Sequence, residues 1–340
     1  MTDIVGPRRV LPGAAAPDRA EVEAIVSRYG RTPLDYFKLW PDKLYFFSSS
    51  HASVVAYRIA WSVALSLGDP VGPAEELPSV VRSFADFCAG RGWGTAFHQV
   101  APDLLSVYRR LGFGVVKIGE EAFVDLDRFA TQTSQQRSFR KPTRHLEAEG
   151  YRVVREQPPH PKALLDEVEE VSREWLSLPG RRERAFTLGR FDRDYLARCP
   201  IVVVRDRAGR LVAFVNQVPG IRQGVATVDL MRHRPTAAGG LMDYLFSETM
   251  LRLRQDGYRW FSLGLAPLAG VGIGRDAGLE DWALHEVYEH LTMLFSFKGL
   301  RSYKAKFEPV WEERFLVYQN GHAGFVRTAL ALRRITSTEA

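Results

Sequence analysis

Hydrophobic and polar positions along the chain first alternate with a short period. Runs at 43–49, 53–60 and 61–68 are rich in Val, Ile, Tyr and Phe and are closed by small polar residues and a Gly-Asp-Pro turn. Each is predicted as a strand. Residues 20–29 have helical spacing, and 78–89 place Val80, Phe84 and Phe87/Cys88 on one face, as an amphipathic helix does. A strand at 95–100, a short helix ending near Arg110, and strands at 114–118 and 122–126 follow. After residue 150 the pattern begins again: a strand at 151–156, then a helix at 162–176 with Leu164, Val168, Val171 and Trp175 in register. Strands are predicted at 201–206, 211–217 and 226–231. A helix at 242–254 has Met242, Phe246 and Leu253 on one face, and a strand at 260–264, a helix at 282–297 and a strand at 314–318 complete the series.

Meandering strands with helices between some of them indicate a mixed α/β (α+β) fold rather than a regular βαβ repeat. No close sequence repeat relates the two halves. Residues 1–19, rich in Pro, Gly and Ala, are expected to be a flexible lead-in.

Composition narrows the class. The 340 residues are 46% hydrophobic and 25% charged, which is ordinary for a soluble protein of one large or two smaller domains. The most apolar stretch, 54–67, is interrupted by Arg58 and Ser62, short of the roughly 20 apolar residues of a membrane span. No apolar signal core opens the chain, so a cytosolic location is expected. Cys88 and Cys199 form no C-x-x-C pair, which fits a reducing compartment and argues against a zinc ribbon. The net charge of +6 favours polyanionic partners.

Candidate chemistry lies in a few strings. Val228-Asp229-Leu230-Met231-Arg232 is predicted as a strand end, sending Asp229 and Met231 to one face. Its acid and base either contact a substrate or close the strand as an internal ion pair. In His285-Glu286-Val-Tyr-Glu289-His290 the histidines are five apart, not four, so no metal site of the H-E-x-x-H kind is expected. Lys298, Arg301, Lys304 and Lys306 alternate with Phe297, Tyr303 and Phe307, a combination suited to phosphates and bases or to a solvated basic edge. Arg137, Arg140, Lys141 and Arg144 cluster around Pro142, which interrupts an otherwise helical segment. Arg181, Arg182 and Arg184 form a second basic patch. Arg234 to Gly240 lacks the R-x-x-G-x-G/A spacing of a coenzyme-A pyrophosphate loop. There is no G-x-S-x-G string, and neither cysteine sits in a nucleophile motif.

Nine strings, in order, resemble the C-terminal domain of the multiple peptide resistance factor family, the phosphatidylglycerol lysyltransferases and alanyltransferases. They include Gly68-Asp69-Pro70-Val71-Gly72-Pro73, Phe97-His98-Gln99-Val100, Phe186-Thr187-Leu188-Gly189-Arg190-Phe191, the Asp229 string, Gly240-Leu-Met242-Asp243, Phe261-Ser-Leu263-Gly264, and Phe297-Lys298-Gly299 through Phe307. The resemblance covers roughly residues 30–320. It implies two tandem acetyltransferase-like (GNAT) domains, 20–130 and 151–330, joined by a basic linker helix at 131–150. It implies a tunnel entered from one side by aminoacyl-tRNA and from the other by phosphatidylglycerol. Such domains normally follow a flippase segment, which is not seen in this chain, and they act at the cytoplasmic face of the membrane in resistance to cationic antimicrobial peptides. No cofactor, coenzyme A or metal is implied. In this reading Lys304, Asp229 and Arg232 are catalytic, with Lys304 stabilising the carbonyl oxyanion. Glu286, Arg301, Tyr303 and Asp243 bind substrate, and Arg137, Arg140, Lys141, Arg144 and Lys298 contact tRNA or lipid phosphate. An acidic pocket of Asp229 and Glu286 favours lysine over alanine. Competing expectations are another acceptor, such as a different lipid or a peptidoglycan precursor, and a non-catalytic module that binds tRNA or membrane.

Overall fold

The computed structural model describes residues 17–187, 189–220, 224–267 and 297–337. Among them the first part of the chain runs α1 (Pro17–Tyr29), a 3-10 helix (Pro33–Leu39), β1 (Leu44–Phe47), β2 (Val54–Ala60), β3 (Val63–Leu67), α2 (Leu77–Ala89), β4 (Gly94–Val100), α3 (Leu105–Arg110) and β5 (Gly114–Asp125). Two helices, α4 (Leu126–Thr131) and α5 (Arg137–Ala148), lead into β6 (Arg152–Glu156), α6 (Lys162–Leu176), α7 (Arg193–Leu196), β7 (Ile201–Arg205), β8 (Leu211–Gln217) and β9 (Val225–His233). The series closes with α8 (Leu241–Gln255), β10 (Trp260–Pro267), α9 (Phe297–Ala305), β11 (Val310–Tyr318) and α10 (Gly321–Thr336).

The described strands form one 11-stranded sheet in the order β1-β2-β3-β4-β11-β5-β10-β9-β8-β7-β6. Two pairs are parallel, β3 with β4 and β9 with β10, and a helix bridges each, α2 and α8 respectively. A topological repeat follows that the sequence did not reveal. Strands β1, β2, β3 and β4 correspond to β7, β8, β9 and β10, and the last strand of each series crosses over. Strand β11 lies between β4 and β5, and β5 lies between β11 and β10. The segment after residue 309 therefore packs into the first half of the sheet, and α10 covers β2 and β3.

Both faces are covered. Leu77, Val80, Val81, Phe84 and Cys88 of α2 pack on Val55, Tyr57 and Phe97. On the opposite face Leu65 and Leu67 meet Phe325, Ala329 and Leu332 of α10. In the second half, α6 packs Leu164, Val168 and Val171 on Phe214 and Leu230. Behind the same strands Leu241, Tyr244 and Leu245 of α8 pack on Ala213 and Val215. Tyr36 and Trp40, at the 3-10 helix, touch both the α10 and the α6 clusters, so these two helices share a face of the sheet.

Four points of the sequence reading are corrected. The strands predicted at 114–118 and 122–126 are one strand, β5. Gly119 (φ +152°) sits where its register slips against β11, and a Cβ there would come 2.4 Å from the Ala266 carbonyl oxygen, so the residue that follows the first of the two predicted strands is a point of close approach within one strand. Helix α10 escaped prediction because Val326 and Leu330 are apolar on its outer face and blur the helical period. Helix α9 was hidden in the basic run. Pro142 does not end α5, which continues to Ala148. The helix predicted at 282–297 lies, apart from Phe297, outside the described residues.

Candidate active site

The site is organised by a gap in the sheet. Parallel pairing of β9 with β10 is confined to Val225–Thr227 and Trp260–Ser262. Beyond it β9 carries Asp229 and β10 carries Gly264. Both strands are irregular there, with register shifts between Val215 and Gln217 for β8/β9 and between Ser262 and Leu265 for β10/β5.

The β9 irregularity is a bulge held by Asn216. This fully buried side chain accepts the Leu230 N–H at 2.9 Å and donates its amide to the Tyr195 hydroxyl at 2.9 Å. The extra residue breaks alternation: Asp229 and Leu230 are both buried, and Met231 is 45% exposed. The expectation that Asp229 and Met231 share a face is thus overturned. Asp229 accepts the Gly189 N–H at 3.0 Å and the Tyr195 hydroxyl at 3.1 Å. Gly189 is required, because a Cβ there would lie 1.9 Å from Asp229 Oδ2. Burial pushes the Asp229 carboxyl up to about 6, against the opposing pull of the Gly189 and Tyr195 hydrogen bonds and the Arg232 charge.

Lys304, on α9, is 6% exposed and donates from Nζ to the carbonyls of Gly264 (2.9 Å) and Leu265 (2.8 Å). Gly264 adopts φ +76°, which turns the β10 backbone out of its ladder toward the ammonium. Burial pushes Lys304 down to about 7, with nearby Glu121 only partly opposing. Glu121 is itself tied to Arg314 at 2.7 Å and accepts the Ser262 hydroxyl at 2.5 Å. Among the described residues Lys304 therefore has two carbonyl acceptors and no carboxylate in direct contact.

One residue earlier, Tyr303 points to α8. With Asp243, Met242, Gly240 and His233 it lines a cavity of about 210 Å³ at the start of that helix. Among the described residues the buried Tyr303 hydroxyl and Asp243 Oδ1 are without hydrogen-bond partners, while Asp243 Oδ2 accepts Lys306 Nζ at 2.6 Å. Burial and the Asp243 charge raise the Tyr303 pKa. Helix α5 closes against this cavity: Gly240 (φ +81°) leaves room for Pro142, whose Cβ would lie 2.9 Å from a Cβ at 240. Arg137, Arg140, Lys141 and Arg144 are exposed on α5, and none has an ion pair or hydrogen bond through its side chain among the described residues.

The remaining candidates sit apart. Arg232 is buried, bonded to Ser172 of α6 (2.5 Å) over Trp175 at 5.0 Å, and ion-paired to Glu183 in the segment after that helix (2.6 Å), so it closes the end of β9 as an internal ion pair. Arg301 pairs with Glu120 at 3.2 Å and lies over Trp311 at 4.7 Å. Glu286 and the Lys298 side chain lie outside the described residues. Sequence reasoning did not give roles to Tyr195, Asn216, Gly189 and Glu121. Asn216 left a signal, as a polar residue inside the otherwise apolar run Leu211–Gln217.

A sequence profile of the family described as "Phosphatidylglycerol lysyltransferase, C-terminal" matches residues 23–318. Phosphatidylglycerol lysyltransferase from Bacillus subtilis (strain 168) is 31% identical over 98% of this chain. The protein of that name from Staphylococcus epidermidis (strain ATCC 35984) is 33% identical over 92%. The chain spans 39% and 37% of the lengths of these two relatives. The structure of L-PGS from Bacillus licheniformis superposes with a TM-score of 0.83 at 32% identity, covering 96% of this chain and 98% of that one. On the extent of the profile match and the shared fold, the chain belongs to the family of phosphatidylglycerol lysyltransferase C-terminal domains.

Proposed function

We propose that this chain transfers an aminoacyl group, lysyl in preference to alanyl, from aminoacyl-tRNA to the glycerol hydroxyl of phosphatidylglycerol. The observation that carries this reading is the buried Lys304 amine, held on the Gly264 and Leu265 carbonyls of β10 where its pairing with β9 has ended. A transesterification of an already activated ester needs a donor for the developing oxyanion, an anchor for the α-ammonium and alignment of two large substrates. The lipid hydroxyl oxygen attacks the ester carbonyl carbon, the bond to the ribose oxygen breaks, and the hydroxyl proton ends on that leaving oxygen. Lys304 stabilises the oxyanion, and ionised Asp229 holds the substrate ammonium. Tyr303 and Asp243 line the approach of the tRNA acceptor end, with Arg137, Arg140, Lys141 and Arg144 of α5 meeting its phosphates. Arg232 positions β9 rather than touching substrate. The names of the relatives support lysine as the donor amino acid.

The topological repeat supports two acetyltransferase-like units, 20–130 and 151–330, with α5 in the linker at 131–150. The reading places the reaction at the cytoplasmic face of the membrane, where added positive charge on lipid weakens attraction of cationic antimicrobial peptides.

The test is transfer of radiolabelled lysine or alanine from charged tRNA to phosphatidylglycerol vesicles, followed by lipid extraction and separation. Labelled lipid with lysyl-tRNA is expected. Label only with alanyl-tRNA reassigns the donor, and no labelled lipid with either overturns the lipid acceptor.

A further inference from the structure

Three of the five large hydrophobic side chains that are exposed among the described residues meet at one place: Trp61 (64% exposed), Val326 (51%) and Leu330 (46%). They line a single groove with Ser62, Ala323 and Arg327, between the β2–β3 hairpin tip and the outer face of α10. The hairpin turn is Trp61-Ser62, both residues at positive φ (+50° and +54°). Such a two-residue turn favours Asn-Gly. Here it leaves an indole 64% exposed at a conformational cost.

The charge around this apolar tip has one sign. Arg327 and Arg333 project from the exposed side of α10 and have no acidic partner among the described residues. Trp61 also borders an adjoining cavity of about 470 Å³, whose lining includes Arg58, Arg184, Arg190 and Arg334 against one carboxylate, Asp42. Arg58 shares that carboxylate at 3.4 Å, while the Arg184 and Arg190 side chains have no ion pair or hydrogen bond among the described residues. The inner wall of the cavity is Trp40 and Phe186. Trp40 packs on Tyr195 at 5.1 Å, and the segment after Phe186 carries Gly189, so this wall is also the outer side of the Asp229 site. Helix α10 shares its face of the sheet with α6, whereas the basic helix α5 packs with α8 on the other face.

An indole and two branched aliphatic side chains ringed by arginines match an anionic phospholipid surface: the apolar groups enter the acyl boundary, Trp favours the interface, and the cations meet phosphate. We propose that the face formed by the β2–β3 hairpin tip and α10 is a docking surface for anionic bilayers, and that a lipid headgroup passes from it through the arginine-lined cavity toward Asp229. The last part rests on the lipid-acceptor reading above. Nucleic acid fits this face less well, because Val326 and Leu330 offer neither stacking surface nor charge.

The test uses the whole chain in co-sedimentation with phosphatidylcholine vesicles and with vesicles containing about one third phosphatidylglycerol. The variants are Trp61→Gly, which suits the positive φ, and Val326→Gln/Leu330→Gln. Wild-type protein is expected to bind the anionic vesicles in a salt-sensitive manner, and each variant to bind them at least about 10-fold more weakly with unchanged Tm. For the α10 double variant, aminoacyl transfer to vesicle-borne phosphatidylglycerol should fall while transfer to a monomeric short-chain phosphatidylglycerol is retained. Vesicle binding reads the docking face even where no transfer is detected, so failure of the lipid-acceptor reading leaves a separate signature. Equal binding by wild type and variants overturns the proposal. So does loss of tRNA binding with vesicle binding intact, or a solution dimer that the variants dissolve.

Discussion

Asn216 and Leu230 are joined by a side chain rather than by the β-ladder: the Asn216 carboxamide oxygen takes the Leu230 N–H at 2.9 Å where backbone pairing between β8 and β9 slips. That substitution of a side chain for a ladder bond places Asp229 under Gly189 and Tyr195.

Replacing Asn216 with Ala should leave the Leu230 N–H buried without an acceptor and free the Tyr195 hydroxyl from one partner. The expected cost is about 1–3 kcal/mol of stability. Transfer should fall further than substrate binding, because the acid is displaced rather than removed. Denaturant melts paired with kinetics on both substrates check this, and an unchanged rate would dissociate the bulge from catalysis.

Lys304→Ala should lower turnover about 10²-fold or more, the range for removal of an oxyanion donor, with tRNA binding nearly intact. Lys304→Met should be equally slow yet more heat-stable near pH 7.5. A lysine pushed down to about 7 loses stability as pH falls from its unfolded value toward 7, because at pH 7.5 the unfolded chain keeps a proton that the native fold disfavours. The expected gain is about 1–2 kcal/mol, since Met leaves the Gly264 and Leu265 carbonyls without their donor. Calorimetry and single-turnover rates together give the answer, and undiminished turnover removes Lys304 from the chemistry.

The pH profile should be bell-shaped. Asp229 must be ionised to hold an ammonium, so the rate rises through about 6, and Lys304 must be protonated to meet an oxyanion, so it falls above about 7. The stability contribution of Asp229 runs the other way from its activity: with its pKa raised above the usual 3.8, it favours the fold below that value and ceases to do so as pH rises through about 6. Asp229→Asn should flatten the acidic limb. Retention of that limb would assign it to another group.

Neutralising Arg137, Arg140, Lys141 and Arg144 together should raise the KM for aminoacyl-tRNA and reduce the steepness of its salt dependence, with kcat changed less than about threefold. Filter binding across a salt series measures this. An unaltered salt slope would mean that α5 is a solvated face.

Strands and amphipathic helices were legible wherever one face is apolar and the other polar, as in α2 and α6. Legibility failed where tertiary contacts replace pattern. The continuity of β5 through Gly119 did not show, because the role of that glycine, room for the Ala266 carbonyl, comes from a strand remote in sequence. The Asp229 string stood out, but its geometry did not, because the bulge depends on Asn216 in the neighbouring strand. Arg232 looked as available as Asp229 until Ser172 and Glu183 of another segment claimed it. Lys304 was singled out within a basic run, and only the α9 turn separates it from Tyr303, which serves a different cavity.

The crossing of β11 into the place between β4 and β5 has a consequence for how the chain reaches this state. Until that late strand is synthesised, β4 and β5 each keep an open edge, and the early half resembles a sheet with a missing slat. Native pairing must wait for contacts of very long sequence separation, which slows folding and leaves those edges exposed to intermolecular pairing in the meantime. Once closed, neither half can be released without tearing a strand from the other, so the two should melt in a single transition, and a chain cut before residue 310 should yield an aggregating fragment rather than a smaller domain.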